Sequence, residues 1–136
     1  MTTSLKIAVI GTGAMGSIYA ARLSNAGHSV CAIDVWNDHV EAMNVNGLTI
    51  DGPDGRMKSA GLRAAHALPT NETFDLYVIA TKSFGVRDSA AEIAKTLTPD
   101  AMVLTSKMVW VQAMMLLHSF HNHKSYWASQ RDLAHP

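Results

Sequence analysis

The chain has 136 residues, 48% of them hydrophobic and 16% charged, with 11 basic and 11 acidic side chains. This length and composition predict one folded domain and exclude disordered, fibrous and collagen-like proteins. The zero net charge and the lack of any apolar run near the roughly 20 residues of a membrane helix argue against nucleic acid and membrane partners. The chain opens without the charged-then-apolar order of a secretory signal, and the lone Cys31 cannot form an internal disulfide, so we expect a cytoplasmic protein.

The composition changes sharply after Thr105. Residues 1–105 hold 8 basic and 10 acidic side chains and all 9 glycines. Residues 106–136 hold 3 basic and 1 acidic side chain, 4 of the 7 histidines and 2 of the 3 tryptophans. We therefore predict a folded domain over residues 1–105 and an atypical segment over residues 106–136.

The N-terminal pattern is strand, glycine turn, helix and strand. Residues 5–10 form a short apolar run, typical of a strand buried in a parallel sheet. The glycine turn, residues 11–16, follows at once and leads into a predicted helix that ends at Gly27. A second predicted strand, over residues 28–34, ends on Asp34, 18 residues after Gly16.

The remaining elements continue an α/β series. We predict a helix over residues 37–46 with Asn37 as its N-cap, and a hairpin with an exposed tip over residues 48–60. A strand over 74–81, a helix over 86–97 with Ala94 facing inward, and a buried strand over 101–105 follow. This alternation predicts a Rossmann-like, doubly wound, mainly parallel sheet with an inserted hairpin.

The glycine turn has the sequence and position of a dinucleotide-binding site. Gly11 permits the tight turn, Gly13 lets a pyrophosphate approach the backbone, and Gly16 lets the helix pack against the strand. The free N–H groups and the dipole of the helix favour the anion. A glycine triplet alone is a weak signal, but the buried strand before it and the acid downstream strengthen it. The predicted cofactor ligands in the turn are Gly11, Thr12, Gly13, Ala14, Met15 and Gly16.

Asp34 is placed to accept hydrogen bonds from an adenosine ribose at the end of the second strand. Its charge disfavours a 2′-phosphate, and no Lys or Arg follows it closely, so this residue favours NAD over NADP. The alternative is a residue that only caps the following turn or helix. Trp36 either flanks an adenine or covers the edge of the core, and the sequence leaves both open.

Lys82 follows the strand predicted over residues 74–81 and therefore lies at the edge where open parallel sheets bind ligands. An ammonium group there is suited to bind a phosphate or a carboxylate. The alternative is a solvated loop lysine.

Three stretches of the chain resemble the N-terminal domain of the 2-dehydropantoate 2-reductase family, also called ketopantoate reductase. The resemblance extends from Leu5 to about Thr105. The combination of the glycine turn with the hairpin and the Thr-Lys-Ser loop is more specific than the turn alone. The three stretches are Lys6-Ile-Ala-Val-Ile with the glycine turn, Asn46-Gly47-Leu48 before the hairpin, and Ala80-Thr-Lys82-Ser83 after Asp75-Leu-Tyr-Val-Ile.

The resemblance implies NADPH-dependent reduction of ketopantoate, a 2-keto acid, to pantoate in pantothenate and coenzyme A biosynthesis. Lys82 matches the family's lysine near the cofactor and substrate. The family's catalytic lysine and substrate-binding carboxylate belong to a C-terminal helical domain that is absent from these residues, so no residue here is assigned as catalytic. We expect this chain to bind the cofactor without turnover by itself. The family resemblance implies NADP as the cofactor, whereas Asp34 favours NAD. The alternative function is a non-catalytic dinucleotide-binding module; the hairpin and the Thr-Lys-Ser loop argue against other dehydrogenases with a similar opening.

Residues 106–111 depart from the family's Gln-Asn-Gly-Leu-Gly loop, and the genetic code suggests why. When the last base of each codon is joined to the first two of the next, Met108-Val109 and Trp110-Val111 must both give GGT, a glycine codon. The neighbouring joined triplets permit Gln, Asn and Leu in the family order. We predict a one-base shift of the reading frame near codon 105, with residues 106–136 translated out of frame.

The alternative is an authentic segment, in which His118, His121 and His123 have a loosely metal-binding spacing. No Cys or carboxylate lies near them in sequence, so we expect no metal site. A sheet that ends after the strand over residues 101–105 exposes an apolar edge, which predicts self-association.

Overall fold

The structure is a computed structural model that describes residues 3–53, 55–59, 61–82 and 85–105. Three predictions lie outside the described residues: the atypical character of residues 106–136, the shift of the reading frame, and the histidine spacing at His118 to His123.

The described residues form a series of strands and helices that follows the predicted order. One strand, β5, has no counterpart among the predicted elements, and the others begin and end within a few residues of the predicted positions. The elements are β1 (Lys6–Ile10), α1 (Ala14–Asn25), β2 (Ser29–Ile33), α2 (Asn37–Asn46), β3 (Thr49–Gly52), β4 (Gly55–Lys58), β5 (Arg63–Ala65), β6 (Leu76–Ile79), α3 (Val86–Ala94) and β7 (Met102–Thr105).

Five strands form one parallel sheet in the order β5-β2-β1-β6-β7, and β3 and β4 form a separate antiparallel hairpin. The chain leaves β1 toward β2 on one side and later returns to β6 on its other side. The predicted Rossmann-like, mainly parallel sheet with an inserted hairpin is therefore confirmed. The carboxyl ends of β1 and β6 flank the point where the strand order reverses, which is the usual ligand site of such sheets.

Two separate cores cover the two faces of the sheet. Because side chains alternate along a strand, Ile7 and Val9 of β1 face one core and Ala8 and Ile10 face the other. The helices α1 and α2 pack on the first face and α3 packs on the second, which makes the sheet doubly wound. Their buried contacts include Ala20, Ala21, Val40 and Met43 on the first face and Val86, Ala90 and Ile93 on the second.

Several local predictions are wrong. The helix α2 has the predicted bounds, but Trp36, not Asn37, is its N-cap, and the Asp34 carboxylate accepts from the Trp36 N–H. The helix α3 ends at Ala94, which is exposed, and the Thr96 N–H bonds to the Ile93 carbonyl in a tighter final turn. The strand β7 is only partly buried, with Met102 42% exposed at the edge of the sheet. Self-association through this edge stays a prediction.

The described residues hold neither a candidate membrane span nor a candidate metal cluster. None of the three helices named above is long and apolar enough to cross a membrane. No group of three or more His, Cys, Asp or Glu side chains within these ranges is arranged to hold a metal ion.

The opposite edge of the sheet is closed by a side chain. Asn44 of α2 donates from Nδ2 to the carbonyl of Ala64 in β5 at 3.1 Å and accepts from the Ala64 N–H at 2.8 Å. One amide thus satisfies both backbone groups that a further strand would have paired. An edge strand with its hydrogen-bonding groups satisfied is a poor template for pairing with another chain.

Replacement of Asn44 by alanine is expected to destabilise the fold, because the buried Ala64 loses both partners. We expect Asn44→Ala to lower the free energy of unfolding by about 1–3 kcal/mol relative to Val45→Ala, measured by urea denaturation. Val45 is the matched control: it is 81% exposed on the same helix, and valine and asparagine have similar helix propensities. Equal stability of the two variants would show that the amide contributes nothing to this edge.

Candidate functional site

The carboxyl ends of β2, β1 and β6 meet at the glycine turn. The Gly11 N–H donates to the Ile33 carbonyl at the end of β2, and the Ala80 N–H donates to the Ile10 carbonyl at the end of β1, both at 2.8 Å. The turn therefore leaves the sheet between its two neighbouring strands. This arrangement brings together the predicted site residues from three segments: the glycine turn, Asp34 after β2, and Lys82 after β6.

The turn is packed so closely that two of its glycines are required. A Cβ on Gly16 would overlap the carbonyl oxygen of Gly11. Gly11 itself has φ +90°, and a Cβ there would lie 2.8 Å from the backbone nitrogen of Thr81. The predicted packing roles of Gly11 and Gly16 are confirmed.

The space in front of the turn is open. A Cβ on Gly13 would have no heavy atom within 4 Å, and no side chain caps the N-terminus of α1. The first intrahelical bond runs from the Ser17 N–H to the Gly13 carbonyl, so the N–H groups of Ala14, Met15 and Gly16 are the unsatisfied donors of the first turn. No acidic residue in that turn offsets the helix dipole. Three free donors at a positive helix end, with room before them, fit the pyrophosphate of a dinucleotide.

Asp34 ties the glycine turn to the segment after β2. Its Oδ2 accepts from the N–H of Thr12 at 2.9 Å and from the Thr12 hydroxyl at 3.0 Å, and its Oδ1 accepts from the N–H of Trp36 at 3.0 Å. Burial raises the pKa of the Asp34 carboxyl, but these three hydrogen bonds outweigh it and hold that pKa below its usual range. Asp34 therefore stabilises the turn that precedes α2, although no side chain forms a cap hydrogen bond on that helix. Acceptor capacity remains on Oδ1, so the ribose contact stays a prediction.

The carbonyl of Thr12 forms further contacts on the turn that the sequence did not indicate. The buried Thr12 accepts at its carbonyl oxygen from the Ser17 hydroxyl at 2.8 Å and from His39 Nε2 at 2.9 Å. Since a carbonyl oxygen cannot donate, His39 carries a proton on Nε2. The His39 ring also stacks on Trp36, with ring centroids 5.6 Å apart and an interplanar angle of 28°. Nothing in the local pattern of α2 marks His39, because its partner Thr12 lies 27 residues away.

The indole of Trp36 is 64% exposed. Of the two roles that the sequence left open, this exposure argues against covering the edge of the core, and the contact with adenine stays a prediction. The neighbouring Val35 is 90% exposed, so the segment that follows Asp34 presents two apolar side chains to solvent.

The segment after β6 supplies the other side of the site. Lys82 is exposed, and no hydrogen bond or ion pair joins its ammonium group to another residue in the described ranges. Thr81 lies between Gly11 and Gly85, and its Oγ1 is a buried oxygen without a hydrogen-bond partner in the part of the chain that the structure describes. Ser83, predicted in the same loop, lies outside the described residues.

Comparison with known proteins places these features in a family. The family model described as ketopantoate reductase PanE/ApbA matches residues 7–107. The 2-dehydropantoate 2-reductase of Pyrococcus horikoshii is 34% identical over 101 residues, which cover 74% of this chain and 32% of that protein. The Pyrococcus abyssi enzyme of the same name is 39% identical over 95 residues, 67% of this chain and 30% of that protein.

Solved structures share the fold. The PanE/ApbA family ketopantoate reductase from Ralstonia eutropha JMP134 has a TM-score of 0.75 at 26% identity, over 91% of this chain and 40% of that one. A ternary structure of D-mandelate dehydrogenase with NADH and anilino(oxo)acetate has a TM-score of 0.80 at 24% identity, over 91% of this chain and 40% of that one, and at this identity the likeness concerns the fold alone.

The chain spans about a third of the length of the curated relatives it matches. Within that third, the family match covers far more than half of the chain and includes β1, the glycine turn, Asp34 and Lys82. The chain therefore belongs to the ketopantoate reductase family, PanE/ApbA.

Proposed function

We propose that this chain binds a nicotinamide dinucleotide and forms the cofactor-binding part of an oxidoreductase that reduces 2-dehydropantoate, or a similar 2-keto acid, to the 2-hydroxy acid. The observation that supports this function most directly is the open, uncapped N-terminus of α1 at the point where the strand order reverses. The bound dinucleotide supplies the hydride for the reduction. The residues of this chain bind it and set its orientation.

The pyrophosphate is held by backbone rather than by side chains. The N–H groups of Ala14, Met15 and Gly16 donate to its oxygens, and the missing Cβ of Gly13 lets it approach. Thr12 does not contact the pyrophosphate through its side chain, because its hydroxyl already donates to Asp34. Its contribution is to hold the turn in place.

The adenosine ribose lies at Asp34, and the preferred cofactor is NADH. The low pKa of Asp34 keeps this carboxylate charged at neutral pH, so a 2′-phosphate would meet like charge. The residues after it, Val35 and Trp36, are exposed and apolar and provide no cation to offset that charge.

Lys82 provides the cation of the site. Its ammonium lies after β6, on the side of the glycine turn opposite to Asp34, where it binds either a cofactor phosphate or the carboxylate of the keto acid. The freedom of its side chain from partners in the described ranges supports this role.

We also propose the domain organisation predicted from the sequence: a cofactor-binding domain over residues 1–105 and an out-of-frame segment over residues 106–136. The family match ends at residue 107, next to the proposed shift. In the family, the groups that complete the reaction lie beyond this point, so we expect binding of the cofactor without turnover.

Substitution of Gly13 by alanine separates binding from folding. A methyl group there meets no protein atom but fills the space that the pyrophosphate needs. We expect Gly13→Ala to weaken binding of NADH and NADPH alike by about tenfold or more, equal to ~1.4 kcal/mol. The free energy of unfolding should change by less than about 1 kcal/mol. Fluorescence titration and urea denaturation measure the two quantities.

Gly52→Ala is the control for this experiment, because it adds a methyl group at a hairpin position with only an ordinary contact, 3.9 Å from the Gly55 carbonyl oxygen. It should bind both cofactors like the original chain. Unchanged affinity in Gly13→Ala would contradict the proposed pyrophosphate site, and the absence of any dinucleotide binding by the original chain would reject the proposed function.

A basic residue beside Asp34 should change the cofactor preference. We expect the original chain to bind NADH more tightly than NADPH, and Val35→Arg to raise the affinity for NADPH about tenfold while NADH affinity stays within about twofold. Val45→Arg is the matched control, since Val35 and Val45 are 90% and 81% exposed and only Val35 lies beside Asp34. Tighter binding of NADPH by the original chain would overturn the assignment of NADH.

The shift of the reading frame can be tested directly on the gene. Resequencing of the codons around Thr105 should find a one-base difference that restores a Gln-Asn-Gly sequence in frame with β7. If resequencing confirms the present reading frame, and no downstream frame encodes a family-like continuation, the proposed shift is wrong.

A further inference from the structure

Four residues around the glycine turn are joined in a closed ring of contacts. The Thr12 N–H binds Asp34, the Asp34 carboxylate binds the Trp36 N–H, the Trp36 indole stacks on His39, and His39 Nε2 donates to the Thr12 carbonyl. Every member of the ring is therefore held by two others. This ring goes beyond what a pyrophosphate-binding turn needs, because its last two members, Trp36 and His39, belong to α2 and its N-cap and not to α1.

The ring fixes an aromatic surface in solvent. A tryptophan that is 64% exposed would ordinarily be free to change rotamer. Here its backbone is the N-cap of α2, its N–H is bound by Asp34, and one face of its ring lies on His39. With one face covered and most of the side chain exposed, the other face of the indole is open.

We propose that Trp36 is the stacking platform for the adenine of the dinucleotide, and that His39 is a positioning residue that holds the indole in place. The proposal rests on the proposed function, because it uses Asp34 as the contact of the adenosine ribose. Adenine is bonded directly to that ribose, and Trp36 is bound to Asp34 through its own N–H. A planar aromatic surface beside a ribose acceptor matches the chemistry of an adenosine group.

The surroundings favour a neutral, planar ligand over a charged one. Val35 and the indole of Trp36 are both apolar and exposed, and the nearest charge in the ring of contacts is the Asp34 carboxylate. An anion such as a 2′-phosphate would find no Lys or Arg among the ring members, and the Nε2 N–H of His39 already donates to the Thr12 carbonyl. An adenine needs only the open face of the indole.

The role of His39 follows from its two contacts. Its Nε2 is anchored on a carbonyl that the Ser17 hydroxyl also holds, and this anchor sets the plane of the ring. The indole lies on that plane at 28°. A side chain that kept an N–H donor for the Thr12 carbonyl but had no ring would hold the glycine turn in place. It would not provide the surface that supports Trp36.

The test measures binding of NADH and of ADP-ribose by isothermal titration calorimetry, in the original chain and in Trp36→Ala and Trp36→Phe. Both ligands carry the adenosine group, but ADP-ribose lacks the nicotinamide. We expect Trp36→Ala to weaken both by the same factor, about fivefold to a hundredfold, because stacking of a base on an aromatic ring contributes free energy of that size. Trp36→Phe should retain most of the affinity, and both variants should fold, since Trp36 is largely exposed.

His39→Gln tests the positioning role, because glutamine keeps an N–H donor for the Thr12 carbonyl and removes the ring. It should weaken NADH binding about two- to fivefold when Trp36 is present and leave it unchanged in the Trp36→Ala background. A purely structural role of His39 would give the same loss in both backgrounds.

Two results would overturn the proposal while leaving the proposed function intact. One is binding of ADP-ribose by Trp36→Ala within about twofold of the original chain, which is less than a stacking contact contributes. The other is a loss of NADH affinity without a loss of ADP-ribose affinity, which would place Trp36 at the nicotinamide end. Failure of the original chain to bind NADH would instead reject the proposed function itself.

Discussion

The close approach of α1 to the end of β1 is the constraint on which the site depends. The carbonyl of Gly11 occupies the place where a side chain of Gly16 would lie, and Thr81 fills the corresponding space at Gly11 and Gly85. The first turn of α1 is thereby pressed against the sheet at the junction of β1 and β6. Its free N–H groups consequently point into the crevice where the strand order reverses, so a packing requirement also produces the anion site.

Asp34 links this packing to electrostatics. One carboxylate satisfies the backbone and hydroxyl of Thr12 on one side and the backbone of Trp36 on the other. Because its pKa is lower in the folded chain than in the unfolded one, the charged form contributes stability above the unfolded pKa, and this contribution is lost as the pH falls through the folded pKa. In the proposed function the same charge disfavours a 2′-phosphate, so the stability of the loop and the proposed choice of cofactor depend on one group.

The sequence predicts the parts of the fold whose pattern is local. The strand, glycine turn, helix and strand of residues 5–34 are found because apolar runs and glycines lie within a few residues of each other. The strand β5 could not be predicted, since three residues carry no periodicity and its outer edge is satisfied by Asn44, 20 residues away. The N-cap of α2 at Trp36 and the contact of His39 with Thr12 were missed for the same reason: both depend on partners outside the helix.

The division between scaffold and specificity follows from these contacts. Structures with only about a quarter of their residues identical to this chain share its sheet, because the sheet depends on apolar pattern and on the glycines of one turn. The side chains of Asp34 and His39 bind the segment over residues 34–39 to the glycine turn at Thr12, while Val35 and Trp36 remain exposed. Substitutions at these two exposed positions are therefore expected to leave both cores intact. The residues proposed to contact the adenosine therefore all lie within the part of the chain that the structure describes, even though the chain spans only a third of its relatives' length.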